Sequence, residues 1–191
     1  IENYDLTFAI GPAGTGKTFL ATVLAARLLA EKAIEKIILT RPAVEAGENL
    51  GFLPGDLQQK VDPYLKPLFD SLHSIFGSEK TNSLVDKGII EIVPLAFMRG
   101  RTLEDSLIIL DEAQNTTKSQ MKMFLTRLGE RSKMIVNGDI TQIDLKDRNE
   151  SGLTEAINIF SNVEDIKFCY LTTEDIVRHS LVQKIVEAYK N

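Results

Sequence analysis

Cysteine, positive charge and long apolar runs are scarce in this chain, and each shortage excludes a class of protein. A single cysteine among 191 residues cannot form an internal disulfide framework, and a reducing cytoplasm fits this composition. The net charge of −5 argues against a surface that coats nucleic acid broadly, while a local basic groove remains compatible with it. No apolar stretch approaches ~18 uncharged residues. We therefore predict a cytoplasmic protein with no transmembrane helix and no membrane partner.

Metal-binding and targeting signals are also missing. His73 and His179 have no metal-ligand spacing with Cys169, so we predict no structural zinc site. Cys169 lies in an apolar run and is interpreted as a small buried residue. The chain starts at Ile1 without a signal-peptide pattern, and we expect it to be part of a longer protein. Its length suits one domain with a full-sized core.

Short apolar runs alternate with helical patterns along the chain. The runs have the character of strands covered on both faces, and they span residues 6–10, 36–40, 89–93, 107–111, 133–137 and 166–171. Helical patterns cover residues 17–32, 117–128 and 179–190. This alternation predicts right-handed crossovers and a parallel sheet, and therefore a single α/β domain over residues 1–191.

Residues 56–76 have helical periodicity but contain Pro63 and Pro67. Because proline interrupts the hydrogen-bond ladder of a helix, we predict two short helices or one kinked helix there. This segment belongs to a predicted helical insertion at about residues 45–88, after the second strand.

The segment GPAGTGKT, residues 11–18, matches the phosphate-binding pattern G-x-x-x-x-G-K-[ST] between a strand and a helix. Its glycines allow a tight turn that directs backbone N–H groups at an anion, and the following helix adds its positive end. Lys17 is placed to reach the β- and γ-phosphates, and Thr18 to offer its hydroxyl to Mg²⁺. The alternative is a glycine-rich turn without a ligand, and the strand–loop–helix context favours the phosphate site. The predicted nucleotide contacts are Gly11, Pro12, Ala13, Gly14, Thr15, Gly16, Lys17 and Thr18.

An acidic pair closes the apolar run 107–111. Asp111 is placed to hold Mg²⁺, and Glu112 to polarise a water for attack on the γ-phosphate. The alternative is that both acids cap the next helix, but Asn115, Thr116 and Thr117 are better placed for capping. The pair therefore predicts hydrolysis rather than kinase chemistry.

A third polar motif, GDITQ, follows the run 133–137. The carboxyl ends of parallel strands face the ligand crevice, so we predict that Asp139 and Gln142 lie there. Gln142 is a candidate to contact the γ-phosphate or the attacking water. The alternative is that both residues satisfy local backbone groups in a loop.

The three motifs, in this order, resemble the core of superfamily 1 helicases. Longer stretches over nearly the whole chain resemble PhoH-like ATPases, including IGPAGTGKT, LTRPAVEAGENLGFLPGDLQ, FMRGRTLEDSLIILDEAQNTTKSQMKMF, NGDITQIDL and DIVRHSLVQKIV. This resemblance implies a RecA-like P-loop NTPase fold that binds and hydrolyses ATP with Mg²⁺, although the residues alone leave GTP open. Members of this family are often linked to RNA metabolism or phosphate starvation.

Helicases of superfamily 1 have a second RecA-like domain that supplies arginines to the γ-phosphate, whereas this chain has room for one core. The resemblance of DIVRHS to the family's terminal element makes Arg178 the candidate, acting in cis or on a neighbouring subunit. It therefore implies a homo-oligomer, with a hexameric ring as one form. The alternative is a surface salt bridge from Arg178 to Glu174 or Asp175.

Three further arginines are candidate contacts for RNA or other single-stranded nucleic acid. Arg41 follows the second strand in a segment that approaches nucleic acid in superfamily 1 proteins. Arg99 and Arg101 lie in a glycine-containing loop beside Phe97, and arginine with an aromatic side chain is typical of a strand-binding groove. The alternatives are a subunit interface or contacts with the acidic insertion.

These features predict a Mg²⁺-dependent ATPase whose hydrolysis is coupled to remodelling of RNA or an RNA–protein complex. The predicted catalytic residues are Lys17, Glu112, Gln142 and Arg178, and the predicted metal ligands are Thr18 and Asp111. The alternative function is a nucleotide-switched assembly or regulatory module for a nuclease or a ribosome-associated partner.

Overall fold

The computed structural model describes residues 3–42 and 57–177, together with Leu181, Val182, Ile185 and Ala188; for residues 57–63 it describes the backbone alone. The strands are β1 (Leu6–Ile10), β2 (Lys36–Arg41), β3 (Ile90–Pro94), β4 (Ser106–Leu110), β5 (Lys133–Gly138) and β6 (Ile166–Tyr170). The helices with assigned bounds are α1 (Lys17–Ala30), α2 (Leu57–Phe76), α3 (Ser78–Asp86), α4 (Lys118–Leu125) and α5 (Gly152–Phe160).

The six strands form one sheet in the order β3-β2-β4-β5-β1-β6, and every neighbouring pair is parallel. The predicted strands are confirmed to within a residue or so at their ends, because continuous apolar runs are required where helices cover both faces. Strand β5 lies between β1 and β4, and this order brings the ends of these three strands side by side.

Alternate strand residues divide the core into two hydrophobic clusters, one on each face of the sheet. On one face, Ile38, Ile108 and Val136 pack with residues of α4 and α5. On the other face, Ile37 and Ile109 pack with residues of α1 and α2. The sheet is therefore held rigidly between two helical layers, and the loops at its ends are free to carry chemistry.

Helix α2 is a single helix of 20 residues that includes both Pro63 and Pro67, so the alternative of two separate short helices was wrong. Leu65, Leu68 and Leu72 are buried against the sheet. The burial of these leucines, worth about 1.5–3 kcal/mol each, offsets the interruptions that the two prolines cause. Part of the predicted insertion, residues 43–56, lies outside the described residues.

Two other helical predictions were right in position but too long. Helix α1 ends at Ala30 instead of residue 32, and Lys32 takes a left-handed conformation with φ of 57°. Helix α4 begins after Thr117, whose side chain and that of Gln120 form a reciprocal capping box. Helix α3 falls within the predicted helical insertion, although the sequence did not lead us to give its bounds, and α5 was not predicted. Of the predicted helix 179–190, four residues are described, and the rest lies outside the described part of the chain.

Candidate nucleotide site

Three loops meet at the carboxyl edge of the sheet. Residues 11–16 follow β1, the acidic pair follows β4, and Asp139 follows β5. Direct hydrogen bonds join these loops to neighbouring strands: Gly11 N donates to the Gly138 carbonyl at 3.1 Å, and Asp111 N to the Thr40 carbonyl at 2.9 Å. The loops surround a cavity of about 320 Å³, whose lining includes Gly14, Lys17, Thr18, Asp111, Glu112 and Gln142.

The loop of residues 11–16 requires glycine at specific positions. Gly14 and Gly16 have φ values of 87° and 77°, which side chains other than glycine rarely adopt. A Cβ atom on Gly11 would lie 2.7 Å from the Leu171 carbonyl oxygen. The chain after β6 also contacts the loop, since Val177 N donates to the Gly14 carbonyl at 3.1 Å. The turn is therefore held from both sides in the shape that a phosphate-binding loop needs.

Lys17 begins helix α1 and folds its side chain back over this loop. Its Nζ donates to the carbonyl oxygens of Gly11 at 2.6 Å and Pro12 at 2.9 Å. Burial lowers the pKa of the Lys17 ammonium, and nearby carboxylates, that of Asp139 most strongly, oppose this shift. The structure thus places a cation within reach of the cavity, as predicted for a residue that binds phosphate.

Thr18 and Asp111 contact each other directly, with the Thr18 hydroxyl donating to Asp111 Oδ1 at 2.6 Å. Burial raises the pKa of the Asp111 carboxyl, whereas the charge of Arg41 and the hydrogen bond from Thr18 oppose that rise. Hard oxygen ligands, one of them a carboxylate, suit Mg²⁺, which takes its other ligands from water and phosphate. Among the described residues, no cluster of three or more His, Cys, Asp or Glu side chains is arranged for a metal. Thr18 and Asp111 therefore fit Mg²⁺ as it is bound together with a nucleotide.

Glu112 is held in an unusual conformation at the end of β4. Its φ is 52°, in the left-handed region that a residue other than glycine rarely occupies. Both carboxylate oxygens accept hydrogen bonds: Oε1 from Arg41 Nη2 at 2.7 Å and Oε2 from Gln114 Nε2 at 2.5 Å. Backbone strain of this kind concentrates at functional sites.

Asp139 fastens the phosphate-binding loop to β5. Its Oδ2 accepts from Ala13 N at 3.0 Å, and its Oδ1 accepts from the backbone N and hydroxyl of Thr141. Gln142 is exposed and lines the cavity, while its backbone N donates to the Asp139 carbonyl. Asp139 thus satisfies the local backbone of Thr141, as the alternative prediction had it, and also that of Ala13 in the phosphate-binding loop, 126 positions away in the chain. The proposed contact of Gln142 with phosphate or water stays a prediction.

The candidate nucleic-acid contacts are in different surroundings. Arg41 contacts both residues of the acidic pair: its Nη2 lies 2.7 Å from Glu112 Oε1 and 3.4 Å from Asp111 Oδ2. Arg101 forms a bidentate pair with Glu91, at 2.6 and 2.7 Å, and these hydrogen bonds raise the pKa of Arg101. Arg99 is exposed next to Phe97, whose exposed fraction is 54%. Two of the three arginines therefore have carboxylate partners within the chain, and a role for any of them with nucleic acid stays a prediction. Arg178 lies outside the described residues.

Gln114 is a site residue that the sequence reasoning did not single out. It is buried, and it joins two of the loops: Nε2 donates to Glu112, and Oε1 accepts from Asp139 N at 3.0 Å. The available signal was its position in DEAQ, the D-E-x-Q element of the superfamily 1 resemblance. Its bridging role depends on the adjacency of β4 and β5, which the local sequence does not reveal.

The glycine-rich loop joins strand β1 to helix α1, and the acidic pair follows β4. Strand β5 lies between β1 and β4 in the sheet. This arrangement defines a P-loop NTPase with a RecA-like sheet. The profile of the PhoH-like protein family matches residues 1–190, and the chain belongs to this family. The PhoH-like protein of Bacillus subtilis is 62% identical over 189 residues, which cover 99% of this chain and 59% of that protein. The PhoH-like protein of Synechocystis sp. is 61% identical over 190 residues, covering 100% and 58%.

A more distant relative, Protein PhoH of Escherichia coli, is 47% identical over 191 residues, with 99% of this chain and 54% of that protein covered. The chain therefore spans between about half and three fifths of the length of these curated relatives.

Solved structures support the fold. The large terminase of a thermophilic bacteriophage superimposes with a TM-score of 0.58 at 12% identity, covering 99% of this chain and 45% of that one. The SWI2/SNF2 ATPase core of Sulfolobus solfataricus gives 0.50 at 15% identity, covering 90% and 41%.

The predicted lack of a transmembrane helix holds for the part of the chain that the structure describes. None of the helices there combines the length and apolar character needed to cross a bilayer.

Proposed function

We propose that this chain hydrolyses ATP with Mg²⁺. The observation that carries the proposal is the Thr18–Asp111 contact, with Glu112 beside it and Lys17 across the same cavity. Lys17 and the amides of residues 11–18 bind the phosphates, and Thr18 and Asp111 hold Mg²⁺. The bound ion supplies charge neutralisation on the β- and γ-phosphates.

In this proposal, a water attacks the γ-phosphorus while the bond to the β–γ bridging oxygen breaks and ADP leaves. Glu112 orients that water and accepts its proton. Gln142 contacts the water or the γ-phosphate, and Arg178 stabilises the developing charge from its own or a neighbouring subunit. The proposal includes assembly into a homo-oligomer, a hexameric ring being the form to test first. The cytoplasm is its proposed location, because the one cysteine needs no oxidising compartment.

We further propose that hydrolysis is coupled to remodelling of RNA or an RNA–protein complex. Arg99 and Phe97 support this, since they are two positions apart in the chain and both exposed, and a cation and an aromatic ring suit the phosphates and bases of a single strand. One of the structures that share the fold, the SWI2/SNF2 core, was solved in complex with dsDNA. The second candidate, a nucleotide-switched regulatory module, is favoured by the engagement of both Glu112 oxygens, which suits slow hydrolysis.

The deciding experiment measures ATP turnover by the intact protein with Mg²⁺, alone and with single-stranded RNA or DNA. Lys17→Ala should abolish turnover and weaken ATP binding. Stimulation by RNA supports remodelling, whereas turnover that ignores nucleic acid but changes affinity for a protein partner supports the regulatory module. No Mg²⁺-dependent hydrolysis in the parent under any of these conditions would reject the enzyme assignment.

The nucleic-acid arm has a matched pair of variants. Arg99→Ala should weaken RNA binding and reduce the slope of log affinity against log salt by roughly one, because each phosphate contact releases about one counterion. Arg131→Ala removes an exposed arginine that pairs with Asp105, and it should leave both the affinity and the slope unchanged. Equal effects of the two variants would show that Arg99 contributes general charge and no specific contact.

A further inference from the structure

Arg41 connects three parts of the molecule through one guanidinium group. Its side chain is 18% exposed, and Nη2 lies 2.7 Å from Glu112 Oε1 and 3.4 Å from Asp111 Oδ2. The other terminal nitrogen, Nη1, donates to the carbonyl oxygen of Tyr64 at 3.2 Å. Tyr64 belongs to α2, so the arginine at the end of β2 spans from the acidic pair to a helix of the insertion. The planar, forked guanidinium is suited to holding separate acceptors in fixed positions.

The other side of Glu112 is also held. Gln114 donates to Oε2, and the backbone of Glu112 has a positive φ. A charge-assisted hydrogen bond from an arginine is short and strong, and here it holds Oε1 in a fixed position. In this arrangement Arg41 occupies Oε1 of Glu112, and Gln114 occupies Oε2.

We propose that Arg41 is a positioning residue that restrains Glu112 and makes ATP hydrolysis depend on the position of α2. While Arg41 bonds to both Tyr64 and Glu112, the glutamate is kept from its water. A displacement of α2 withdraws the guanidinium, and Oε1 becomes available to accept a proton. This inference rests on the proposed ATPase function and names the regulation of that site.

Helix α2 is suited to transmit such a displacement. Pro67, three residues after Tyr64, cannot donate a backbone hydrogen bond, which weakens the helix ladder beside the carbonyl that Arg41 contacts. The same helix borders the cavity through Ser71. Its buried leucines, Leu65, Leu68 and Leu72, pack α2 against the sheet, so a displacement of the helix would carry the Tyr64 carbonyl with it.

The kinetic test compares Arg41→Gln and Arg41→Lys with the parent at saturating Mg²⁺ and ATP. Arg41→Gln should raise kcat by roughly tenfold to a hundredfold, the range expected on losing one charge-assisted hydrogen bond, and change KM less than about twofold. Arg41→Lys should give an intermediate kcat, because an ammonium keeps the charge but cannot span Glu112 and Tyr64 together. In the Glu112→Gln background, Arg41→Gln should produce no rise. A fall in kcat, an effect confined to KM, or the same rise without Glu112 would overturn the restraint.

The second test needs no hydrolysis. In the nucleotide-free protein, backbone amide exchange in residues 64–72 should become roughly threefold faster or more in both Arg41→Gln and Glu112→Ala, because each removes one end of the connection. The matched control is Arg131→Gln, which breaks another bidentate arginine–carboxylate pair, with Asp105, at the opposite end of the sheet from the Arg41–Tyr64 contact. Unchanged exchange in both site variants, or equal acceleration in the control, would overturn the link to α2.

The two tests separate this inference from the proposed function. If the parent hydrolyses no ATP, the enzyme assignment fails while amide exchange still decides whether Arg41 ties Glu112 to α2. If hydrolysis is present and neither kcat nor exchange responds as stated, the inference fails alone. Thermal unfolding of each variant checks that it is folded, and Arg41→Lys keeps a cation beside buried Asp111 if Arg41→Gln does not fold.

Discussion

The two ends of the sheet use polar residues in opposite ways. At the carboxyl end, Asp111, Gln114 and Asp139 are buried, and each bonds to a group from another loop or helix. At the amino end, the charged groups are partly or largely exposed, as in the pair of Arg131 (66% exposed) with Asp105 (31%). What is buried there is neutral: the Ser132 hydroxyl accepts from Ser106 N and donates to the Leu103 carbonyl.

This difference separates groups that hold turns from groups that are arranged for chemistry. Burying a carboxylate carries a large desolvation penalty, whereas a buried, fully bonded hydroxyl carries little. An exposed ion pair adds little to the free energy of unfolding, and its charges lose little hydration when it forms. The buried carboxylates Asp111 and Asp139 both lie at the carboxyl end. A change there should alter function, whereas a change in an exposed ion pair at the amino end should alter stability or nothing.

The largest expected effect is on catalysis at the carboxyl end. Glu112→Gln should reduce ATP turnover by roughly 10²- to 10⁴-fold, the range for loss of a general base, while ATP binding is retained because the loop and the Mg²⁺ ligands are unchanged. Single-turnover hydrolysis and nucleotide-binding titrations measure the two quantities separately. Turnover at the parental rate would show that Glu112 is not the base.

A matched pair of glycine substitutions comes next. At the carboxyl end, a Cβ on Gly11 would lie 2.7 Å from the Leu171 carbonyl, and at the amino end a Cβ on Gly129 would lie 2.7 Å from the Leu103 carbonyl. Both Gly→Ala variants should lose about 1–3 kcal/mol of unfolding free energy, as overpacking does. Gly11→Ala alone should also weaken nucleotide binding. The comparison fails if Gly129→Ala weakens nucleotide binding as much.

A smaller effect, of opposite sign, is expected for Asp111→Asn without nucleotide. Because burial raises the pKa of Asp111, the folded state binds its proton more tightly than the unfolded chain does. The stability of the parent should therefore fall as pH rises from the ordinary carboxyl value through the raised folded one. Asp111→Asn lacks this loss, so it should melt at a higher temperature than the parent at neutral pH, yet fail to bind Mg²⁺-nucleotide. Thermal melts across this pH range test the idea, and a lower melting temperature for the variant at neutral pH would contradict it.

The smallest effect should come from the amino end. Arg131→Gln removes a geometrically good ion pair with Asp105 that is largely exposed. Water replaces both partners readily, so neither the melting temperature nor ATP turnover should change measurably. A clear loss of melting temperature or of ATP turnover would mean that the two ends of the sheet are energetically coupled. The assignment of chemistry to the carboxyl end alone would then be wrong.

The sequence predicted the sheet and the site's motifs well because their signals are local. Continuous apolar runs reveal strands buried on both faces, and residues 11–18 contain a complete phosphate-binding loop within eight positions. Arg41, Gln114 and the conformation of Glu112 are different, because their contacts cross from β2 to β4 and from β4 to β5. Helix α5 was missed because GLTEAINIF mixes glycine and β-branched residues, which are weak helix formers, and its buried Leu153 and Ala156 stabilise it through tertiary packing.

The position of β5 between β1 and β4 has a consequence for the order of synthesis. The bond from Ala13 to Asp139 joins residues 126 positions apart, and that from Thr18 to Asp111 joins residues 93 apart. The phosphate-binding segment therefore leaves the ribosome early, but its supporting neighbour in the sheet, β5, is made far later. Contacts this distant along the chain form slowly, because the entropy cost of closing a long loop comes before the stabilising energy of the contact. A nascent chain that stops short of β5 carries the nucleotide-binding sequence without a nucleotide-binding site.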